Sequence, residues 1–189
     1  MAKSGTITIW LVDRAERSDD YWGEGSMFAV ANYLTDYFNS VCRHASSPYE
    51  NARCTWQKGS VGETDLVVYF LTSSKRSIIA NRFKTFSTCT SPSGGTLETS
   101  QGMVSEVYMD SMQGDLNYCK LVANIAFHEL MHNKLDAPST DKTIDDVHAS
   151  GGSGLAEATV ARGSQLTPQN IALMAGALGK KIPQFTAEM

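Results

Sequence analysis

Two histidines four residues apart, with a glutamate directly after the first, are the residues of this chain best suited to chemistry: His128-Glu129-Leu130-Met131-His132. On a helix, residues at i and i+4 share one face, a turn apart. Both imidazoles can then offer ring nitrogens to a single Zn²⁺. Glu129 stands beside that ion, close enough to take a proton from a water bound to it. Such spacing also arises by accident, so the flanking sequence decides the reading. Upstream run Leu116, Cys119, Leu121, Val122, Ile125, Ala126 and Phe127, then Leu130 and Met131, with no Gly or Pro between them. That is a long apolar helical pattern. Asp115, after Gly114, is suited to cap its start, and Pro138 forbids its continuation. The motif is therefore expected in the last turns of a largely buried helix. Two histidines and a glutamate buried there without partners are costly, and a metal ion removes that cost.

The elements that must carry this helix follow from periodicity. Residues 6–12 (T-I-T-I-W-L-V) are rich in β-branched side chains and predict a first strand. Met27, Val30, Ala31, Leu34, Tyr37, Phe38 and Val41 recur at spacings of three and four, one face of an amphipathic helix. Residues 52–57 predict a short second strand. Residues 66–71 (L-V-V-Y-F-L) are apolar throughout and suit a central strand covered on both faces. Residues 87–102 are dense in Ser, Thr and Gly and predict a long surface loop. Residues 103–109 alternate and predict one more strand, then the motif helix. Residues 136–154 have little periodicity. A final helix is predicted from Thr167-Pro168, a cap followed by proline at the first helical position, through Leu178 to Gly179. The order predicts an α/β sandwich with a twisted sheet backing two helices and an active site under the sheet edge. The last strand would be available to an extended peptide by strand addition.

A length of 189 residues and a net charge of −4 fit one domain over residues 1–189 with a real hydrophobic core. The acidity and the lack of a basic stripe argue against nucleic acid; Lys75 with Arg76, and Arg82 with Lys84, form only a small patch on a solvated loop. No stretch approaches a membrane span, and residues 7–12 read as a strand and not as the core of a signal peptide. The expected location is the cytoplasm, or outside the cell after export without a cleavable signal. Cys42, Cys54, Cys89 and Cys119 contain no C-x-x-C pair, and their pairing is not readable from spacing; Cys119 reads as a small buried hydrophobe.

On the H-E-x-x-H motif, the element order and the C-terminal helix, the chain resembles the metzincin clan of zinc metallopeptidases. Residues 166–174 (L-T-P-Q-N-I-A-L-M) are similar to the final helix of matrixin-type members. The clan's motif continues H-E-x-x-H-x-x-G-x-x-H, and here the chain departs from it. Leu135 stands at the glycine and Pro138 at the third histidine, while catalytic zinc generally takes three protein ligands and leaves one position for water. Two residues compete for the third place. His148 keeps the clan's spacing to its methionine turn, with Ala156 at the methionine, and makes residues 133–147 an insertion; the alternative for His148 is a surface loop histidine. Asp136 would lie about 12 Å along an unbroken helix from His128, too far to ligate. Pro138 ends the helix nearby, so the chain can curl back and present the carboxylate; otherwise Asp136 orients a ligand histidine. Both can serve together. Glu157 is a weaker option, Asp145 and Asp146 read as loop acids, and His44 reads as a surface residue at a helix end.

The resemblance implies a zinc-dependent endopeptidase with Glu129 as general base and a protein or peptide as substrate. Two other readings use the same motif: a non-catalytic zinc-binding interaction module of this fold, and a zinc amidase acting on cell-wall peptides. Domain economy adds a bacterial effector or toxin as the expected setting, with a cognate inhibitor or immunity protein as its partner.

Overall fold

The computed structural model describes residues 2–17, 21–56, 59–84, 93–114, 116–135, 166, 168–187 and 189. Strand β1 (Thr6–Arg14) leads into helix α1 (Glu24–Arg43), then β2 (Asn51–Thr55) and β3 (Leu66–Leu71). A short helix α2 (Ile78–Arg82) precedes β4 (Gly94–Thr99) and β5 (Gly102–Tyr108). The motif helix α3 (Tyr118–Leu135) and the last helix α4 (Pro168–Ala177) follow. The chain is thus α/β, with a mixed five-stranded sheet ordered β2-β1-β3-β5-β4. β1, β2, β3 and β5 run parallel, and β4 lies antiparallel to β5 at the edge.

The residues explain the layers. Alternation along each strand sends one set of side chains to each face. Ile7, Ile9, Leu11, Val68, Phe70 and Val107 face α1, α3 and α4 in the main core. Trp10, Val67, Tyr69 and Val104 face the other way, against Ile79 of α2 and Phe185. β3 is buried along its whole length, as its unbroken apolar run predicts for a strand covered on both sides. α1 turns Val30, Leu34, Phe38 and Val41 inward and fixes α3 around one ring: Phe127 lies 5.1 Å from Phe38 and 6.0 Å from Tyr37, centroid to centroid. Cutting such a buried ring back to alanine costs about 3–5 kcal/mol, so Phe127 is a main anchor of the helix that bears the motif.

Several expectations change. Part of the predicted 87–102 surface loop is strand β4, whose first three residues are buried. Serine, threonine and glycine mark a loop only when they face water; here Thr96 faces α3, and glycine makes room for a neighbour. The strand predicted at 103–109 is not available to a peptide, because β5 lies between β3 and β4; β4 is the edge on that side of the sheet, β2 on the other. Three helices, not two, pack on one face. Leu116 lies before α3 and is fully exposed, so the apolar pattern overran the helix start. Lys75 and Arg76 sit in a single 3-10 turn, with Arg76 paired to Glu16. Cys42, Cys54 and Cys119 are free thiols; burial pushes the Cys54 thiol up to about 12. Cys119 is only half-buried. Cys89, Asp115, Pro138 and Thr167 lie outside the described residues, as does the predicted 136–154 segment. No described helix is long and apolar enough to cross a membrane.

Candidate metal centre

Helix α3 packs against β4 and β5 and against α1 and α4, and every residue from Val122 through Leu135 is buried. A helix apolar on all sides belongs in such a place; its polar residues need partners there. His128 and His132 are 5% and 3% exposed. Their rings meet nearly at right angles, centroids 4.6 Å apart, and the two Nε2 atoms converge to 3.0 Å. A tetrahedral ion with Zn–N bonds of about 2.0–2.1 Å sets its ligand nitrogens about 3.3 Å apart, so a shift of a few tenths of an ångström makes this pair two of its ligands. The donor chemistry fits as well, because neutral imidazole is a common zinc ligand.

Glu129, between the two histidines in sequence, turns toward the sheet edge and is 1% exposed. The Thr96 hydroxyl lies 2.8 Å from its Oε2 and 2.9 Å from its main-chain carbonyl. A carboxylate only accepts and a hydroxyl has a single proton. With Thr96 donating to Oε2, the Ser105 hydroxyl serves the Glu129 carbonyl at 3.4 Å, and accepts in turn from Asn133 Nδ2 at 3.0 Å. The other carboxylate oxygen lies against Gly94. A Cβ built there would meet Glu129 Oε1 at 2.7 Å and the Glu106 carbonyl oxygen at 2.8 Å. Glycine is thus required at the start of β4 by the Glu129 side chain and the Glu106 carbonyl together. Gly94 and Thr96, two apart on one strand, reach the same face of the sheet.

A second buried carboxylate has another task. Glu106, on β5, accepts from Ser77 Oγ at 2.7 Å, Tyr108 Oη at 2.7 Å, and the Ile78 and Ile79 N–H groups at 2.6 and 3.0 Å. It occupies the amino end of α2, where unpaired N–H groups favour an anion. Burial pushes its carboxyl up, against the pull of four donors. Burial and the Glu106 charge also raise the Tyr108 phenol, with a smaller push from Glu129. This cluster ties α2 to β5 and brings no ligand to the histidines.

The structure therefore brings His128 and His132 together, while the Glu129 carboxylate lies against Thr96 and Gly94. Among the described residues no group of three or more His, Cys, Asp and Glu could hold an ion; the sequence candidates His148, Asp136 and Glu157, with Asp145 and Asp146, lie outside those residues. α3 reaches Leu135, the position of the clan's glycine, as its last described residue. His44 caps α1, half-buried, and its Nδ1 accepts from the Ser46 N–H at 3.2 Å. Sequence reasoning missed Gly94 and Thr96, because both fall in the stretch whose composition predicts a loop; a T-x-E alternation over residues 96–98 was the only available signal. In comparisons with known proteins, no family model, no curated protein and no solved structure matches this chain.

Proposed function

We propose that this chain is a zinc-dependent endopeptidase whose general base is Glu129. One observation carries the reading: two buried imidazole Nε2 atoms lie 3.0 Å apart while the adjoining carboxylate is anchored by the sheet edge. A structural zinc site tends to be closed by four protein ligands and has no use for a base. A buried glutamate fixed at one oxygen is the arrangement expected of a group that must meet a proton in a set direction.

Held there, a zinc ion would supply Lewis acidity and make a nearby water easier to deprotonate. His128 and His132 would hold it through their Nε2 atoms, and His148 or Asp136, or both, would complete the protein ligands. Glu129 takes the proton of the attacking water as its oxygen adds to the scissile carbonyl, then delivers that proton to the leaving amine as the C–N bond breaks. Thr96 keeps Oε2 fixed, so Oε1 works from the Gly94 side. Edge strand β4 supports a peptide as substrate. It pairs with β5 on one side, and an extended chain added along its other side would run past Gly94 and Thr96, beside the base.

The test pairs zinc analysis of purified wild type, His148→Ala and Asp136→Ala with cleavage of a mixed peptide library. Wild type should hold one zinc and cut peptides, and Glu129→Gln should keep the zinc while turnover collapses. Zinc without cleavage of any peptide would favour the interaction module; cleavage restricted to cell-wall peptides, the amidase. Wild type without zinc, or full hydrolysis by Glu129→Gln, overturns the proposal.

A further inference from the structure

Residues 180–185 run back through the molecule after α4 and end inside the sheet. β3 and β5 pair from Tyr69↔Glu106 to Leu71↔Tyr108. Toward the start of the two strands this segment stands between them. The Met103 N–H donates to the Pro183 carbonyl at 2.8 Å, and the Phe185 N–H to the Met103 carbonyl at 2.9 Å, which makes Gln184 a parallel bridge partner of Met103. Gly102 precedes that contact at φ +110°, and a Cβ there would meet the Gln184 main-chain carbon at 2.7 Å. Only glycine satisfies both demands.

Alternation then sends neighbouring side chains to opposite faces. Phe185 goes away from α3, against Tyr69 and Phe83. Gln184 goes toward α3 and meets Asn133, the residue directly after His132. The two amides pair head to tail: Asn133 Nδ2 donates to Gln184 Oε1 at 3.0 Å, and Gln184 Nε2 to Asn133 Oδ1 at 2.9 Å. Remaining bonding capacity is used too. Gln184 Oε1 accepts from the Val67 N–H at 3.2 Å, Gln184 Nε2 donates to the Ile182 carbonyl at 3.0 Å, and Asn133 Nδ2 reaches Ser105 Oγ at 3.0 Å. Lys134, next along, donates to the Lys180 and Thr64 carbonyls at 2.7 and 3.0 Å.

We propose that the Asn133–Gln184 amide pair positions the metal site: it locks the last turn of α3, and with it the His132 ring, to a segment wedged between β3 and β5. A buried amide pair with these bonds made is directional and tolerates little displacement, whereas apolar packing of the same helix allows sliding and rotation by fractions of an ångström. Two nitrogens that must meet at one ion need the directional constraint. The inference rests on the zinc reading of His128 and His132.

Cobalt(II) is the probe, because its visible spectrum reports ligand number and geometry while a titration gives affinity. Gln184→Met keeps the volume and removes the amide. Phe185→Leu loosens the same segment without touching the amide pair. Gln184→Met is expected to weaken cobalt binding about 10- to 100-fold, the usual effect of removing a group that orients a metal ligand, and to speed amide hydrogen exchange at residues 132–135. Phe185→Leu is expected to lower thermal stability and leave cobalt affinity and spectrum unchanged. Wild-type affinity in Gln184→Met, or an equal loss in Phe185→Leu, overturns the proposal. Wild type that binds no cobalt overturns the zinc reading and this inference with it, a result distinguishable from the other two.

Discussion

Gly94→Ala perturbs Glu129 without touching His128 or His132. The new methyl carbon would stand 2.7 Å from Glu129 Oε1 and 3.0 Å from its Cγ, where ordinary contact begins near 3.4 Å. The carboxylate must then move by roughly 0.7 Å, because the strand has no room to retreat: the Glu106 carbonyl oxygen is only 2.8 Å from the same methyl. Thr96 resists that movement through its 2.8 Å bond to Oε2, so strain is shared between the base and β4. A misplacement on the order of 1 Å at a reacting group costs up to about 100-fold. The expected result is a kcat lowered about 10- to 100-fold, or about 1.4–2.7 kcal/mol of barrier, with zinc content unchanged. Overpacking should also cost about 1–3 kcal/mol of stability. The assay is steady-state cleavage of the best library peptide beside metal analysis and a denaturant melt. Gly94→Ala with wild-type kcat would refute the idea that β4 shapes the base. A variant that lost its zinc would show that the methyl disturbs the histidines and not Glu129.

Two further outcomes follow from the same geometry. Thr96→Val removes the hydroxyl at nearly constant shape; kcat should fall about tenfold with KM and zinc content steady, in line with a net 1.5–3 kcal/mol for a hydrogen bond to a charged group partly recovered by rearrangement, and Thr96→Ser should restore it. Steady-state kinetics that show Thr96→Ser as slow as Thr96→Val would remove the hydroxyl from the account. Tyr37 donates to Asn124 Oδ1 at 2.6 Å, and burial, with the nearby Tyr33 and Asp36, pushes its phenol up to about 12. An acid whose pKa is raised by folding contributes stability in full below its unfolded value, about 10, and loses it as pH rises through the folded value. Stability should therefore fall between pH 10 and about 12 in wild type, less steeply in Tyr37→Phe; equal slopes in denaturant melts would count against a buried phenol at α1.

Local patterns carried the motif helix and most of the strands. An i, i+4 pair of histidines in an apolar 3.6-residue pattern defines its own geometry, because one helical turn is enough to juxtapose the rings. β3 was legible from its unbroken apolar run, and α1 from a single periodic face. The site residues that the reading missed share one cause. Thr96 and Gly94 look like loop residues, yet they are selected by a carboxylate that approaches from a different element, 33 positions away for the Thr96 contact. The amides of Asn133 and Gln184 are 51 positions apart, and neither has a local signature.

What the sequence determined by itself was the presence of two imidazoles and a carboxylate on one buried helix, since spacing along a helix fixes that. What only the tertiary structure decided was the direction of the carboxylate, the identity of the edge strand and the wedge behind His132. Those depend on hydrogen bonds and close contacts between distant segments, and polar residues that satisfy a buried group are chemically the same as polar residues that face water. Their role becomes visible only once the fold brings the partner to them.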